Sequence, residues 1–252
     1  MLWYKAWRES RGRFLIIALT LIAFCVFTVL FEPFIQANGG LLIPLHLRKS
    51  GYSEYIYNLI YSGQAKGLFA LLVIFLGIGG LQRERSHNTA VFTLALPVSR
   101  LRVIGTQIAL GVVQLAILAL LPAVLVPSLC AVAHQSFPLS EALHFSVLWF
   151  ACGLVIYSSS FFLAVVTPGE YTAPIACYLL LMIHTVAAQW HPLRPYRLNL
   201  MWRMGEFRTM QWDQSHTFLL PPPLSWTALF VMALISTALF ATATRVTDRQ
   251  DF

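Results

Sequence analysis

Between Val103 and Ala133 the chain runs 31 residues without one charged side chain. No other feature narrows the fold as much. A run of that length exceeds the ~20 apolar residues needed to cross hydrocarbon, and it is not alone. Phe14 to Phe31 is a second uncharged run, of 18 residues, and similar stretches follow at about 60–81, 142–166, 171–189 and 224–244. Over the whole chain 58% of residues are hydrophobic and 11% charged, and the mean hydropathy is +0.70. Soluble domains carry about 25% charged residues to keep their surfaces wet. A chain of 252 residues with this balance has too much apolar side chain to hide from water, so its solvent is lipid. The reading is an all-α integral membrane protein: one transmembrane domain over residues 1–252, with six spans at about 14–31, 60–81, 103–126, 142–166, 171–189 and 224–244.

The segments between the runs set the topology. In residues 1–13, Trp3, Trp7 and Ser10 share a helical face with Phe14, while Lys5, Arg8 and Arg11 lie on another. Aromatic rings beside cations suit the headgroup layer, so this segment reads as an amphipathic interfacial helix turning into span one. The first run ends in Phe31-Glu32-Pro33 with no small-residue cleavage site, so it is retained as a span and not removed as a signal peptide. Residues 32–64 form a loop broken by Pro33, Gly39-Gly40, Pro44 and Gly51, and rich in tyrosine (Tyr52, Tyr55, Tyr57, Tyr61). Lys66 is placed near the outer end of span two. Pro122 and Pro127 are expected to kink or break the third run. Thr167-Pro168-Gly169-Glu170 reads as a tight turn. Residues 190–223 mix Arg194, Arg197, Arg203 and Arg208 with Trp190, Tyr196, Trp202, Phe207 and Trp212, as an external loop at the interface would.

Six spans put both termini on one side. Lys and Arg number four in the N-terminal segment, four at Arg83, Arg85, Arg100 and Arg102, and two in the tail; the seven in the opposite loops are spread over many more residues. Their density places the N and C termini in the cytoplasm of a multi-pass chain in the inner (cytoplasmic) membrane. The formal charge of +7 is therefore a topology signal and not a nucleic-acid footprint, which would need a contiguous basic patch.

Chemistry-bearing motifs are sparse. The sequence has no HExxH, no GxSxG and no Walker A loop; Gly77-Ile78-Gly79-Gly80 lacks both the GK[ST] ending and a preceding strand. Cys25, Cys130, Cys152 and Cys177 all lie in apolar runs without metal-ligand spacing. His184 is the one histidine near the middle of an expected span. Intramembrane charge marks ion and proton paths, and the spans carry essentially none. Their polar groups are Gln107, Gln114, Ser158-Ser159-Ser160 and Thr185, which suit hydrogen bonds between helices. A chain of this kind draws no energy from ATP by itself or from an ion gradient.

One polar island remains, Leu81 to Val103. Arg83, Glu84 and Arg85 offer charge-assisted contacts, Val91, Phe92 and Leu94 an apolar foot, and Ser99 an N-cap for span three. Read without further context, it is either a cytoplasmic helix gripped by a partner or a surface loop held by lipid headgroups. Here the order of features becomes specific. The N-terminal LWYKAWRESRGRF, the glycine-containing span two running into Gln82-Arg83-Glu84-Arg85, and above all Thr93-Leu94-Ala95-Leu96-Pro97-Val98-Ser99-Arg100 resemble the permease subunit of ATP-binding-cassette type-2 transporters. The likeness is motif-like over Ile78 to Gln107 and topological elsewhere. Gln107 departs from it, standing where that family often has lysine.

The resemblance implies a cytoplasmic coupling helix between spans two and three, docked on a separate ATPase subunit through Arg83, Glu84, Arg85, His87, Asn88, Val91, Phe92, Leu94, Pro97 and Arg100. It further implies a second permease copy in a homodimer, a substrate path between the copies, short helices within 190–223, and export as the direction. No cofactor is expected in this chain, since ATP and Mg2+ would be held by the partner. Two other classes fit the composition: a membrane-embedded enzyme acting on lipid or peptide, and a non-transporting assembly or sensor subunit on the same fold.

Overall fold

The computed structural model describes residues 2–32, 52–77, 100–167, 171–190, 199–206, 209–212, 217–220 and 225–249. These form a helical bundle. In chain order it comprises α1 (Leu2–Leu30), α2 (Tyr52–Ile56) running into a π-helical segment (Tyr57–Tyr61), α3 (Gln64–Leu76), α4 (Arg100–Val132), α5 (Leu139–Val166), α6 (Thr172–Ala187), the short α7 (Leu200–Arg203), strands β1 (Thr209–Trp212) and β2 (Thr217–Leu220), and α8 (Trp226–Arg249). Five stretches are long and apolar enough to cross a membrane: α1, Tyr52–Leu76, Leu101–Val132, α5 and Trp226–Asp248. The stretch expected as span five holds α6, whose 16 residues reach about 24 Å against a hydrocarbon core of ~30 Å.

Several expectations need correction. The N-terminal segment is not a separate interfacial helix, because α1 runs unbroken for 29 residues. It contains no proline, the space around Gly12 is open, Lys5 pairs with Glu9 across one turn at 3.7 Å, and Trp7 packs on Phe14 with ring centroids 6.0 Å apart. Nothing in the sequence interrupts the backbone ladder at Arg13. Nor do Pro122 and Pro127 break α4, which runs through both. Each removes one ladder hydrogen bond, and α4 packs on α1 and α5. α4 stops instead at a Schellman turn: the Gln135 N–H donates to the Cys130 carbonyl at 2.9 Å and the His134 N–H to that of Ala131 at 3.2 Å, with His134 at φ 56°. Among the described residues of the 190–223 stretch there are a four-residue helix and an antiparallel hairpin pairing Thr209 with Leu220 and Trp212 with Thr217, where the resemblance implied short helices.

α5 is the hub and touches α3, α4, α6, α7 and α8. Its buried face carries small residues, among them Ser146, Ala151, Cys152, Gly153, Ser158 and Ser160. Small side chains let helices approach closely in lipid, where the hydrophobic effect no longer drives association. At Gly153 a Cβ would lie 3.0 Å from Leu115 Cδ1 and 3.2 Å from Phe69 Cε1, so α4 and α3 both close on this position. Larger groups fill the remaining space. Tyr61 stacks on Phe145 at 4.3 Å and on Phe137 at 5.6 Å. Trp149 packs on Phe69 at 4.7 Å. α8 leans on α5 from outside, with Phe240 against Tyr157 and Phe161, and leaves Trp226, Phe230 and Leu234 exposed on its other face.

Candidate functional site

The coupling residues Arg83, Glu84, Arg85, His87, Asn88, Val91, Phe92, Leu94 and Pro97 lie outside the described residues. Arg100, the last of the set, is the first residue of α4, one position after the serine expected to cap it. The structure therefore gives the two anchorages of the polar island, Gly77 and Arg100. The first is tightly built. The Gly77 N–H bonds back to the Val73 and Ile74 carbonyls at 3.2 Å each, and Ser160 of the hub donates its hydroxyl to the Ile74 carbonyl at 2.7 Å. A Cβ at Gly77 would come within 2.5 Å of Ser160 Cβ. Glycine is what lets the end of α3 lie against α5.

Beside these anchorages α1, α3, α4 and α5 border a small crevice of about 40 Å³ with Glu9, Arg13, Gln107 and Tyr157 in its lining. That is room enough for water, which needs roughly 10–15 Å³ of such volume. Gln107 Oε1 is buried with no protein partner, as a water-filled crevice would have it. Gln114, 2% exposed, donates through Nε2 to Ser10 Oγ at 2.8 Å and joins α4 to α1. Opposite, Gly111 leaves room for the Tyr157 ring, whose hydroxyl a Cβ there would strike. Removing the Gln114 amide takes away this link between α4 and α1, while the Ser10 hydroxyl keeps its bond to the Trp7 carbonyl within its own helix at 3.4 Å. Gln114→Ala is expected to cost about 1 kcal/mol, read as a lower midpoint in detergent unfolding, whereas Gln107→Ala, which breaks no such bond, is expected to cost less. Equal midpoints for Gln114→Ala and wild type would show that the bond contributes nothing.

At the other end of the bundle Lys66, expected near the outer end of span two, lies further in, inside the continuous apolar stretch Tyr52–Leu76. α7 folds back against the hub, burying Met204 completely. The Tyr57 hydroxyl donates to the Gly205 carbonyl at 2.7 Å, and Gly205 sits where a Cβ would be 2.9 Å from the Tyr61 carbonyl oxygen. Tucking α7 into this notch carries Arg203 and Glu206 with it, paired at 3.6 Å with side chains 22% and 15% exposed. α7 packs on α5, which sets the Arg203–Glu206 pair against the hub. One signal for α7 was present in the sequence: Asn199 caps it, accepting from the Trp202 N–H at 3.1 Å, and Gly205 follows it.

Next to that region lies a cleft of about 720 Å³ between α5, α6 and α8, with Arg203 and His184 on its wall. His184 stands one turn from the end of α6 and not mid-span. Among the described residues no group of three or more His, Cys, Asp or Glu is placed to hold a metal ion, and all four cysteines are buried free thiols. No family model, curated protein or solved structure matches the chain.

Proposed function

We propose that the chain is the membrane-spanning subunit of an ATP-driven exporter of the ATP-binding-cassette type-2 class. It works as a homodimer, powered by a separate nucleotide-binding subunit in the cytoplasm. In this reading α6 and its flanking residues complete six spans, with the N and C termini on the cytoplasmic side of the inner membrane. The observation that carries it is the polar island with the TLALPVSR sequence, set between two anchored helices. The α3 end is stapled to the hub through Ser160, and α4 continues from Arg100 as one helix of 33 residues. A segment gripped by a partner moves the bundle only if both its ends are stiffly attached. The lipid-length helices support a membrane role of the same kind.

The test is assembly and turnover. The full chain from native membrane is expected to carry an ATPase subunit with it. Reversing the island's charges with Glu84→Arg and Arg85→Glu is expected to reduce that co-purification at least tenfold, since like charges facing each other across an interface cost several kcal/mol. Normal assembly and transport by both variants would sink the coupling role. Catalytic turnover by the purified chain without ATP would favour the embedded enzyme instead. ATPase binding without substrate-dependent turnover would favour the assembly or sensor subunit.

A further inference from the structure

α1 and α4 pack side by side and run in the same direction. Toward one end Gln114 meets Ser10 at 2.8 Å. Toward the other the Tyr55 hydroxyl donates to the Thr28 carbonyl, and the adjoining Tyr52 reaches Cys130 Sγ. From Ser10 to Thr28 α1 rises about 27 Å, and from Gln114 to Cys130 α4 rises about 24 Å, so the two stay level. That register sets the height of the charges on α1. Arg8 and Arg11 bracket Ser10 and so stand level with the part of α4 around Gln114. There α4 is well inside its uncharged run. Its nearest charge, Arg102, lies about 18 Å closer to the helix start, and Val113 and Ile117 beside Gln114 are exposed. α4 offers lipid an apolar surface at the height where α1 carries two arginines.

Tyr4, Arg8, Arg11 and Leu15 recur at the spacing of one helical stripe, and all four are exposed. The two arginines are neighbours on that stripe, about 5–6 Å apart at Cβ. Among the described residues neither guanidinium has a hydrogen bond or an ion pair. Glu9 lies on another face, paired with Lys5 at 3.7 Å and lining the crevice against α4. Trp3 and Trp7, both exposed, stand within two turns of the pair, as amphipathic rings do at a membrane interface. An arginine at the edge of hydrocarbon turns its head toward the headgroups or draws them to itself. Two guanidiniums side by side suit phosphate, whose oxygens they grip bidentately. A carboxylate from another protein would itself have to be carried to that depth, at a cost. A zwitterionic headgroup would bring its ammonium against two cations. A lipid of net negative charge answers both arginines, with its acyl chain running over the exposed Leu15 and Leu19.

We infer that Arg8 and Arg11 form a binding site for an anionic glycerophospholipid, its phosphate held between the two guanidiniums and one acyl chain on Leu15 and Leu19. The site needs a membrane but neither ATP nor a transport role, and binding is assayed without a partner or nucleotide. The full chain, purified in detergent and titrated with phosphatidylglycerol or phosphatidylethanolamine, is read by native mass spectrometry. Wild type is expected to retain one phosphatidylglycerol per chain about tenfold more tightly than phosphatidylethanolamine. Arg8→Gln combined with Arg11→Gln is expected to abolish that preference with an unchanged unfolding midpoint, since both side chains are exposed. Arg102→Gln, which removes an exposed charge from the start of α4, is expected to leave the preference in place. Equal retention of both lipids by wild type overturns the inference. So does a preference that survives the double variant, or one that Arg102→Gln lowers as much, the mark of diffuse attraction to the basic end of the chain. Should the double variant fail to fold, Arg11→Gln decides alone: a loss of about threefold in the preference is expected, and an unaltered preference rejects the site.

Discussion

Gly63→Ala is expected to destabilise the bundle by about 3 kcal/mol, at the upper end of the range for overpacking substitutions. The new Cβ falls onto the Asn58 carbonyl oxygen, with Asn58 C and Leu59 O each 3.3 Å away. All three obstacles are backbone, so no rotamer change relieves them. The π-helical segment Tyr57–Tyr61 ends here, closed by the Ser62 N–H on the Tyr57 carbonyl at 2.8 Å. Its extra residue per turn brings the Asn58 carbonyl under Gly63. Accommodating a methyl group means unwinding that turn, and the turn is pinned on two sides, by Tyr61 in its aromatic stack and by Tyr57 on Gly205. In a thermal melt the loss corresponds to a midpoint lower by about 10 °C. Gly67→Ala is the control, since nothing lies within 4 Å of its Cβ position. It sits in α3, where alanine is the better helix former, and is expected to be neutral or stabilising by up to about 1 kcal/mol. Matching midpoints for the two variants would show that the π segment is not held by glycine.

The second large effect is expected at Trp149. Its side chain is 1% exposed, lies 4.7 Å from the Phe69 ring and meets Tyr61 edge-on at 6.0 Å. Truncation to alanine opens a cavity where α3, α5 and the π segment converge, at an expected cost of about 4 kcal/mol. Phenylalanine is expected to cost only about 1 kcal/mol. It keeps most of the ring contact, and it discards an indole N–H that is buried with no hydrogen-bond partner, a group whose burial is itself unfavourable. Denaturant unfolding of the two variants separates the terms. If phenylalanine is as damaging as alanine, the indole nitrogen has a partner in solution and the packing account of Trp149 fails.

How much of this was legible in the sequence depends on which force sets each feature. The apolar runs are a solvent effect that acts residue by residue. Most of the helices they announced are there, and Leu139–Val166 falls within three residues of its expected start. Boundaries set by backbone chemistry were read less well. Pro122 and Pro127 suggested a kink or a break because proline removes a ladder bond, but the helix runs through both. The N-terminal aromatic-basic segment suggested a turn at Arg13, yet nothing there stops a helix once it has started. At the far end, neither Tyr57–Tyr61 nor the notch for α7 is written in any local pattern. Both depend on Gly63 and Gly205 meeting backbone from elsewhere in the chain. Arg203 and Glu206 read as part of an external loop at the interface. That they are half-hidden against the hub follows from the docking of α7, which composition cannot foretell. The coupling residues from Arg83 to Pro97 were read from side-chain chemistry and motif, and they lie outside the described residues.

The prolines of α4 have a mechanical consequence. Pro122 leaves the Leu118 carbonyl, and Pro127 the Ala123 carbonyl, without the N–H that each would otherwise accept. Both vacant places fall in the half of the helix remote from Arg100. From Arg100 to Leu118 the ladder has no such gap over about 27 Å, and Gln114 ties that part to α1. The rod is therefore unevenly stiff, a rigid shaft with a pliant tip. In the proposed coupling role, a push delivered at Arg100 would travel along the shaft and be spent as bending near Pro122, whose carbonyl accepts from the Tyr61 hydroxyl at 3.5 Å. Torque applied at one face of the membrane would then become a change of angle close to the other.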